Sequence, residues 1–227
     1  MIYFTSDNHY GSDINALKYR YRPFESPEEA DEKMVELWNA TITNDDEVYH
    51  LGDFAISDEA VVKFLGKLNY SKIYLIVGNH DYKRGEKILS SNFDGVYYDP
   101  TRFHIPSGYN TYDEGDQLWL CHYPLQQHDE LYTVTAHIHN LWQIAKRKVN
   151  VGVDAWHFKP VELQTILDGR HSENVGHWDA NVYPDADISW QWEVSNKIQR
   201  DISGGEPTMA ILEYMDTFSD AIYDTNY

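Results

Sequence analysis

Seven side chains of the types that hold metal ions follow directly on apolar stretches of this chain. Ile2–Ser6 runs into Asp7-Asn8-His9, and Val48–Leu51 into Gly52-Asp53. Ile73–Val77 runs into Gly78-Asn79-His80-Asp81, Leu118–Cys121 into His122, and Tyr132–Ala136 into His137-Ile138-His139. Any one of these reads equally well as a capped turn, or as a histidine with no task. In this order, on five strand-like segments, they read as one set: Asp7, His9, Asp53, Asn79, His122, His137 and His139. Oxygen and imidazole nitrogen without sulfur suit hard-to-borderline divalent cations. Seven candidates exceed the needs of one four-coordinate ion and fit two ions that share a bridging carboxylate. The i, i+2 spacing of Asp7 with His9, and of His137 with His139, predicts that each pair shares one face of an extended strand.

The elements that must position this set are legible around it. Residues 2–6, 47–51 and 73–77 read as strands, and further strands are predicted near 95–99, 101–105, 117–122, 131–137 and 148–154, with a hairpin turn at 106–110. A short helix is predicted around Ile14–Lys18. Ser26-Pro27 with Glu29 carries the signals of a helix start, and Met34, Leu37, Trp38 and Thr41/Ile42 keep helical spacing after it. Ser57 is expected to cap a second helix with Val61, Phe64, Leu65 and Leu68 on its apolar face. Another helix is expected from near Pro160 to just before Gly169. The C-terminal edge of the strands is where open α/β sheets commonly place their sites.

Composition bounds the rest. The chain has 227 residues, is 42% hydrophobic and 15% aromatic, and holds 18 Tyr and 7 Trp, enough for a sizeable core. No apolar run is long enough to span a membrane. Met1 leads straight into IYFTSD, without the basic and apolar regions of a signal peptide, and the single cysteine, Cys121, has no internal disulfide partner. A reducing, cytoplasmic location is expected, the host cytoplasm if the protein is phage-encoded. The net charge of −19 and the lone basic cluster Lys146–Lys148 argue against duplex nucleic acid as a partner. From residue 168 the texture changes: 168–227 holds 12 acidic and 3 basic residues. That stretch is expected to be an acidic, partly helical extension, packed on a catalytic domain of residues 1–167, with Ile211, Met215, Phe218 and Ile222 on one helical face.

The order D-x-H, GD, GNHD, H, H-x-H resembles that of the calcineurin-like metallophosphoesterases over residues 1–167. Within them it is most similar to a small bacterial and phage branch, through Arg22-Pro23-Phe24, Val48–Phe54, His122–Pro124 and Asn150–Trp156. Ala136 stands where the family usually has glycine, and at most a shifted backbone is expected there. The resemblance implies an α/β (α+β) fold: two mixed β-sheets packed as a sandwich, flanked by helices, with the metals at one edge. It implies two divalent transition-metal ions, manganese foremost, with iron, zinc or nickel able to serve. Asp7, His9, Asp53 and His139 would hold the first ion, and Asp53, Asn79, His122 and His137 the second. His80 would be the general acid or the stabiliser of leaving-group charge, a role worth about 10²–10⁴-fold. Asp81 is expected to stabilise its turn or act behind the ligands.

The implied reaction is hydrolysis of a small phosphomonoester or phosphodiester, with nucleotide-derived esters among the candidate substrates, by a hydroxide bridging metals about 3.5–4 Å apart. Two divalent ions outweigh Asp7, Asp53 and a hydroxide in charge, so an acidic protein can still hold a locally positive pocket. Arg20 and Arg22 either reach the phosphate with their guanidinium forks or are surface arginines on a loop. His50 is expected to pack near the site, and His104, His128, His157, His171 and His177 have no ligand-like context. Two other readings stand beside this one. A manganese-dependent nuclease acting on single strands is opposed by the acidity. A non-catalytic scaffold for protein partners is opposed by the complete ligand set. Oligomeric state is open.

Overall fold

The computed structural model describes residues 1–20, 22–140, 143–145 and 147–170. Apart from 168–170, the expected acidic extension and its helical face lie outside the described residues.

Two five-stranded mixed sheets form the frame. The first holds β1 (Ile2–Thr5), β2 (Glu47–His50), β3 (Lys72–Ile76), β4 (Gly95–Tyr97) and β10 (Val161–Glu162), in the order β10-β1-β2-β3-β4. Strands β1 to β4 are parallel and β10 is antiparallel to β1. The second sheet holds β5 (Thr101–His104), β6 (Gln117–Leu120), β7 (Tyr132–Thr135), β8 (Ile144–Ala145) and β9 (Lys148–Asn150), in the order β5-β6-β7-β9-β8. Here β6, β7 and β9 are parallel, while β5 and β8 run against them. Parallel neighbours deliver the chain to the same edge, so the segments that follow β1, β2 and β3 emerge together, as do those that follow β6 and β7.

One core joins the sheets. Ile2, Phe4 and Ile76 from the first meet Phe103, Leu118, Leu120, Val134 and Val149 from the second, and Trp156 is fully buried in the same cluster. Phe4 stacks on Tyr49 at 5.6 Å and meets Phe103 edge-on at 5.4 Å. All four residues of β1 and of β7 are buried, so both faces of each strand are covered, as parallel strands require.

The helices follow their sequence signals closely. Helix α1 spans Ile14–Tyr19 and α2 spans Pro27–Thr41. The Ser26 hydroxyl accepts the Glu29 amide at 3.1 Å, and the Glu29 carboxylate reaches back to the Glu25 amide at 2.7 Å, one residue beyond the cap. Ala30, Met34, Trp38 and Ile42 form the buried stripe, with Leu37 half-buried at its margin. Ser57 caps α3 (Asp58–Leu65), whose Val61, Phe64 and Leu65 are buried. Helix α4 (Glu86–Asn92) and the two-residue strand β8 lie where periodicity carried no signal. Helix α5 (Leu163–Gly169) begins three residues later than Pro160, because Val161 and Glu162 first pair with β1, and it runs through Gly169. Among the described residues no helix is long and apolar enough to cross a membrane.

Beyond the strand ends, hydrogen bonds zip the loops together. The amides of Asp7, His9 and Tyr10 donate to the carbonyls of Gly52, Asp53 and Phe54, each at 3.0 Å. The Val153 amide donates to the Ser6 carbonyl at 3.0 Å, tying the end of β1 to the segment after β9. Gly52 lets the loops approach closely. Its φ is +97°, and a Cβ there would lie 2.6 Å from the Gly78 amide nitrogen and 2.7 Å from His122 Nδ1. Gly52→Ala combines left-handed strain of about 1–2 kcal/mol with overpacking of about 1–3 kcal/mol. Thermal or urea unfolding should show a loss near the sum of these, whereas Gly66→Ala, at ordinary φ with no contact closer than 3.4 Å, should unfold within about 1 kcal/mol of the parent. Equal stability of the two variants would contradict the close approach.

Candidate metal centre

The loops at this edge gather the seven predicted metal ligands and His80 from both sheets. Three groups of side chains bring ligand atoms within 4.8 Å of one another: Asp7, His9 and His139; Asp53, His122 and His137; and His9, Asp53 and His80. Asn79 joins the second group, its Oδ1 3.1 Å from His122 Nε2. Oδ2 of Asp53 lies 3.6 Å from His9 Nε2 and 3.6 Å from His122 Nε2, and so sits between the first two groups. Ligands bound at about 2.0–2.2 Å to one ion stand roughly 3–3.5 Å apart, so the spacing is close to that of a coordination shell. His80 comes within the same reach as the ligand candidates, and geometry alone does not set it apart.

The means of convergence differs from the predicted one. Asp7, His9, His137 and His139 lie past the last strand residues, Thr5 and Thr135. They do not share a strand face. Instead Asp7, His9, Asp53, His137 and His139 all adopt left-handed backbone, with φ between 48° and 73°. Each such residue costs about 1–2 kcal/mol, and strain of this kind concentrates at functional sites. Ala136, in the position of the family's glycine, is buried and is not among the left-handed residues. It needs no glycine, and the two histidines after it take the turn.

Four of the candidates, Asp7, Asp53, His122 and His139, are held by one atom and turn another inward. Asp7 Oδ2 accepts the Ser6 hydroxyl at 2.6 Å and the His137 amide at 3.0 Å, while its buried Oδ1 has no hydrogen-bond partner. Asp53 Oδ1 accepts the His80 amide at 2.9 Å, leaving Oδ2 to the centre. His122 Nδ1 donates to the Leu51 carbonyl at 2.6 Å, and His139 Nδ1 donates to Asp154 Oδ2 at 2.6 Å, so both rings present an Nε2 lone pair. Both ring nitrogens of His9 are buried without hydrogen-bond partners. Buried polar atoms are rarely left so, and a divalent cation fits them.

Electrostatics agree. Burial, then the neighbouring Asp7 carboxylate, holds the Asp53 carboxyl well above its ordinary range. Burial would raise Asp7 too, but His139, His122 and the Ser6 hydroxyl bring it below the ordinary value. Burial lowers His9 far below the imidazole range and His137 to about 3, so both are neutral, as ligands must be.

Behind the candidates lies a layer of buried polar groups that sequence reasoning reached only in part. Asp154 pairs with Arg22, Nε to Oδ1 at 2.7 Å and Nη2 to Oδ2 at 3.0 Å, while also holding His139. Arg22 is buried and spends its remaining donors on the carbonyls of Asp7 and Asn8 and on Met34 Sδ. Its place is behind the site: of the two expectations for it, burial excludes a surface arginine, and its engaged donors do not reach toward a phosphate. Arg20 is half-buried, with Nε 3.3 Å from His139 Nε2. Asp81 accepts the amides of Asp53 at 2.6 Å, Gly78 at 3.0 Å and Phe54 at 3.1 Å, in line with its expected turn-stabilising part. Asn150 donates to the His139 carbonyl at 2.6 Å. His50 bridges Asn8 Oδ1 and the Gly52 amide. Asp154 could have been found from its surroundings: a carboxylate in the apolar run 149–156 needs a buried cation or donor.

Burial opposes ionisation of Asp154, yet the Arg22 guanidinium and the His139 hydrogen bond hold it well below the usual carboxylate range. A depressed folded value stabilises the fold above the unfolded value, about 3.9, and that gain is lost as pH falls through the folded value. Asp154→Asn should therefore cost metal-free protein about 3–5 kcal/mol at pH 7, with a smaller gap between variant and parent at pH 3. It should also weaken metal affinity about 10–100-fold. Urea titrations at both pH values test the first point, and equal stability at pH 7 would contradict it.

Comparison with known proteins bears on what this geometry serves. A protein 30% identical over 168 residues, the uncharacterized protein MJ1445 of Methanocaldococcus jannaschii, aligns with 73% of this chain and 89% of its own length. The crystal structure of AQ665, a protein of unknown function from Aquifex aeolicus, superposes with a TM-score of 0.56 at 20% identity over 73% of this chain and 97% of that one, a likeness of fold. The nuclease MPE of Pseudomonas putida aligns at a TM-score of 0.33 and 19% identity over 61% of each chain, too low to bear on the fold or the activity. The family model for calcineurin-like phosphoesterases matches residues 1–200, and the chain belongs to that family.

Proposed function

We propose that this protein is a dinuclear metal-dependent phosphoesterase that hydrolyses a small phosphomonoester or phosphodiester. The observation that carries the reading is the Asp53 carboxylate, with Oδ2 equidistant from His9 Nε2 and His122 Nε2 at 3.6 Å. In this reading Asp7, His9, Asp53 and His139 hold one cation, and Asp53, Asn79, His122 and His137 the other. Manganese is the first choice, and the nitrogen and oxygen donors also suit iron, zinc and nickel. Two divalent cations bound there supply Lewis acidity toward phosphoryl oxygens and bring the pKa of bound water close to neutrality.

The chain's own groups do the rest. Arg20, at the C-terminal end of α1, keeps its charge at neutral pH even though burial and Arg22 lower its pKa to about 10. A guanidinium beside His139 can orient and neutralise the phosphate. His80 is half-buried, its ring 4.8 Å from that of His9 and perpendicular to it. Burial, then Arg20 and Lys83, lower its pKa to about 4, so its ring is neutral at pH 7. Of the two parts expected for His80, this favours a neutral donor that hydrogen-bonds the leaving oxygen over an imidazolium acid. The net charge of −19 sets the protein against long polyanions, which favours a small substrate.

Manganese-loaded protein assayed against aryl phosphates, aryl phosphodiesters and cyclic nucleotides should hydrolyse at least one class and lose that activity with a chelator. Absence of hydrolysis across all three would contradict the reading. His80→Ala should lower kcat about 10²–10³-fold, as for loss of one preorganised donor. Because the folded pKa lies below the ordinary value, His80 stays neutral throughout pH 6–8, and kcat/KM should show no descending limb there. A fall with apparent pKa near 6.5 would instead mark an imidazolium acid.

A further inference from the structure

We propose that Tyr82 and Tyr98 form an aromatic rim that receives a nucleobase, so that the phosphoester taken by this site carries a nucleoside. The proposal rests on the phosphoesterase reading above and names its substrate class.

Tyr82 is 64% exposed and Tyr98 39% exposed, and their rings meet edge-to-face with centroids 6.0 Å apart at 73°. An edge-to-face pair leaves the ring faces away from the contact open for stacking. The pair stands on the edge that carries the metal centre. Strands β3 and β4 are parallel, so Asn79 and His80 follow the end of β3 just as Tyr98 follows the end of β4.

The mounting is firm. The Val77 amide donates to the Tyr97 carbonyl at 2.9 Å, and the Tyr82 amide donates to the Gly78 carbonyl at 3.1 Å. Tyr82 lies in the short 3-10 turn Asp81–Lys83, whose first residue accepts the Asp53 amide. Through Asp81 the turn that carries Tyr82 is tied to the backbone of Asp53, and Tyr82 itself stands two residues after His80.

The span fits as well. From β2, which ends before Asp53, to β4, which ends before Tyr98, is two strand spacings, about 10 Å. That is the reach of a ribose joining a phosphate to its base. Lys83, exposed in the same turn, adds positive charge near His80. A single aromatic pair is one base wide, and the strongly negative protein around it disfavours a longer strand.

The test compares two non-cleavable ligands, the methylenephosphonate analogue of adenosine 5′-monophosphate and the same phosphonate on ribose without a base. Calorimetry on the manganese-loaded full chain should show the adenosine compound binding about tenfold tighter or more, within the range for one stacked base. In Tyr82→Ala/Tyr98→Ala the two ligands should bind within about twofold of each other, with the ribose phosphonate unchanged from the parent. Tyr82→Phe should retain the preference, since the ring rather than the hydroxyl is invoked. Equal affinities in the parent, or a preference that survives the double substitution, would overturn the proposal. A single-stranded oligonucleotide binding more tightly than the mononucleoside ligand would overturn it too. Failure of both phosphonates to bind would instead overturn the phosphoesterase reading on which it rests.

Discussion

The Asp53 carboxylate is the point at which two sheets become one site. One oxygen is fixed by the His80 amide, and the other faces His9 from the first sheet and His122 from the second. It is buried and lies near a second buried carboxylate, Asp7. In the protein alone this is an unfavourable arrangement for Asp53: two acids share a dry space, and the Asp7 charge opposes its ionisation. Divalent cations would remove the conflict, and the energy that folding has stored there would be returned on binding. The polar atoms without partners on Asp7 and His9 belong to the same imbalance.

Such an arrangement persists only if the surroundings leave it no escape. The five left-handed residues together cost several kcal/mol on the usual scale of about 1–2 each. They are held by bonds that run between loops: Asp7 to Gly52, His9 to Asp53, His137 to the Asp7 carboxylate, His122 to Leu51. Arg22 and Asp154 close the back of the cluster, joining the loop after β1 to the turn after β9 and fixing the His139 ring on the way. Removing water from this layer strengthens each of these bonds, and leaves each partner exposed to a large penalty if the other is lost.

Much of this was legible in the sequence, for reasons that differ by residue. β1, β2 and β3 announce themselves as apolar runs, and the metal-binding residue types stand at their ends in the order of the family. Ser26 and Ser57 mark helix starts through a local bond that needs no tertiary context. The convergence of the histidines was expected for a reason the backbone does not follow, since a residue's turn conformation depends on the loops packed against it. Arg22 reads as a loop arginine, and only the distant Asp154, 132 residues on, reveals it as a buried clamp. The late start of α5 has the same origin: Val161 and Glu162 are claimed by β1 across most of the chain. Local pattern reports local bonds, and the layer behind the site is built from bonds between segments far apart.

The central claim is that a pair of cations shares the Asp53 carboxylate. Crystals of the full chain soaked with manganese, measured at the manganese absorption edge, test it most directly. Two anomalous peaks are expected about 3.5–4 Å apart, one beside Asp7, His9 and His139 and the other beside Asn79, His122 and His137, with Asp53 in contact with both. One peak alone, or two peaks of which Asp53 touches at most one, would contradict it.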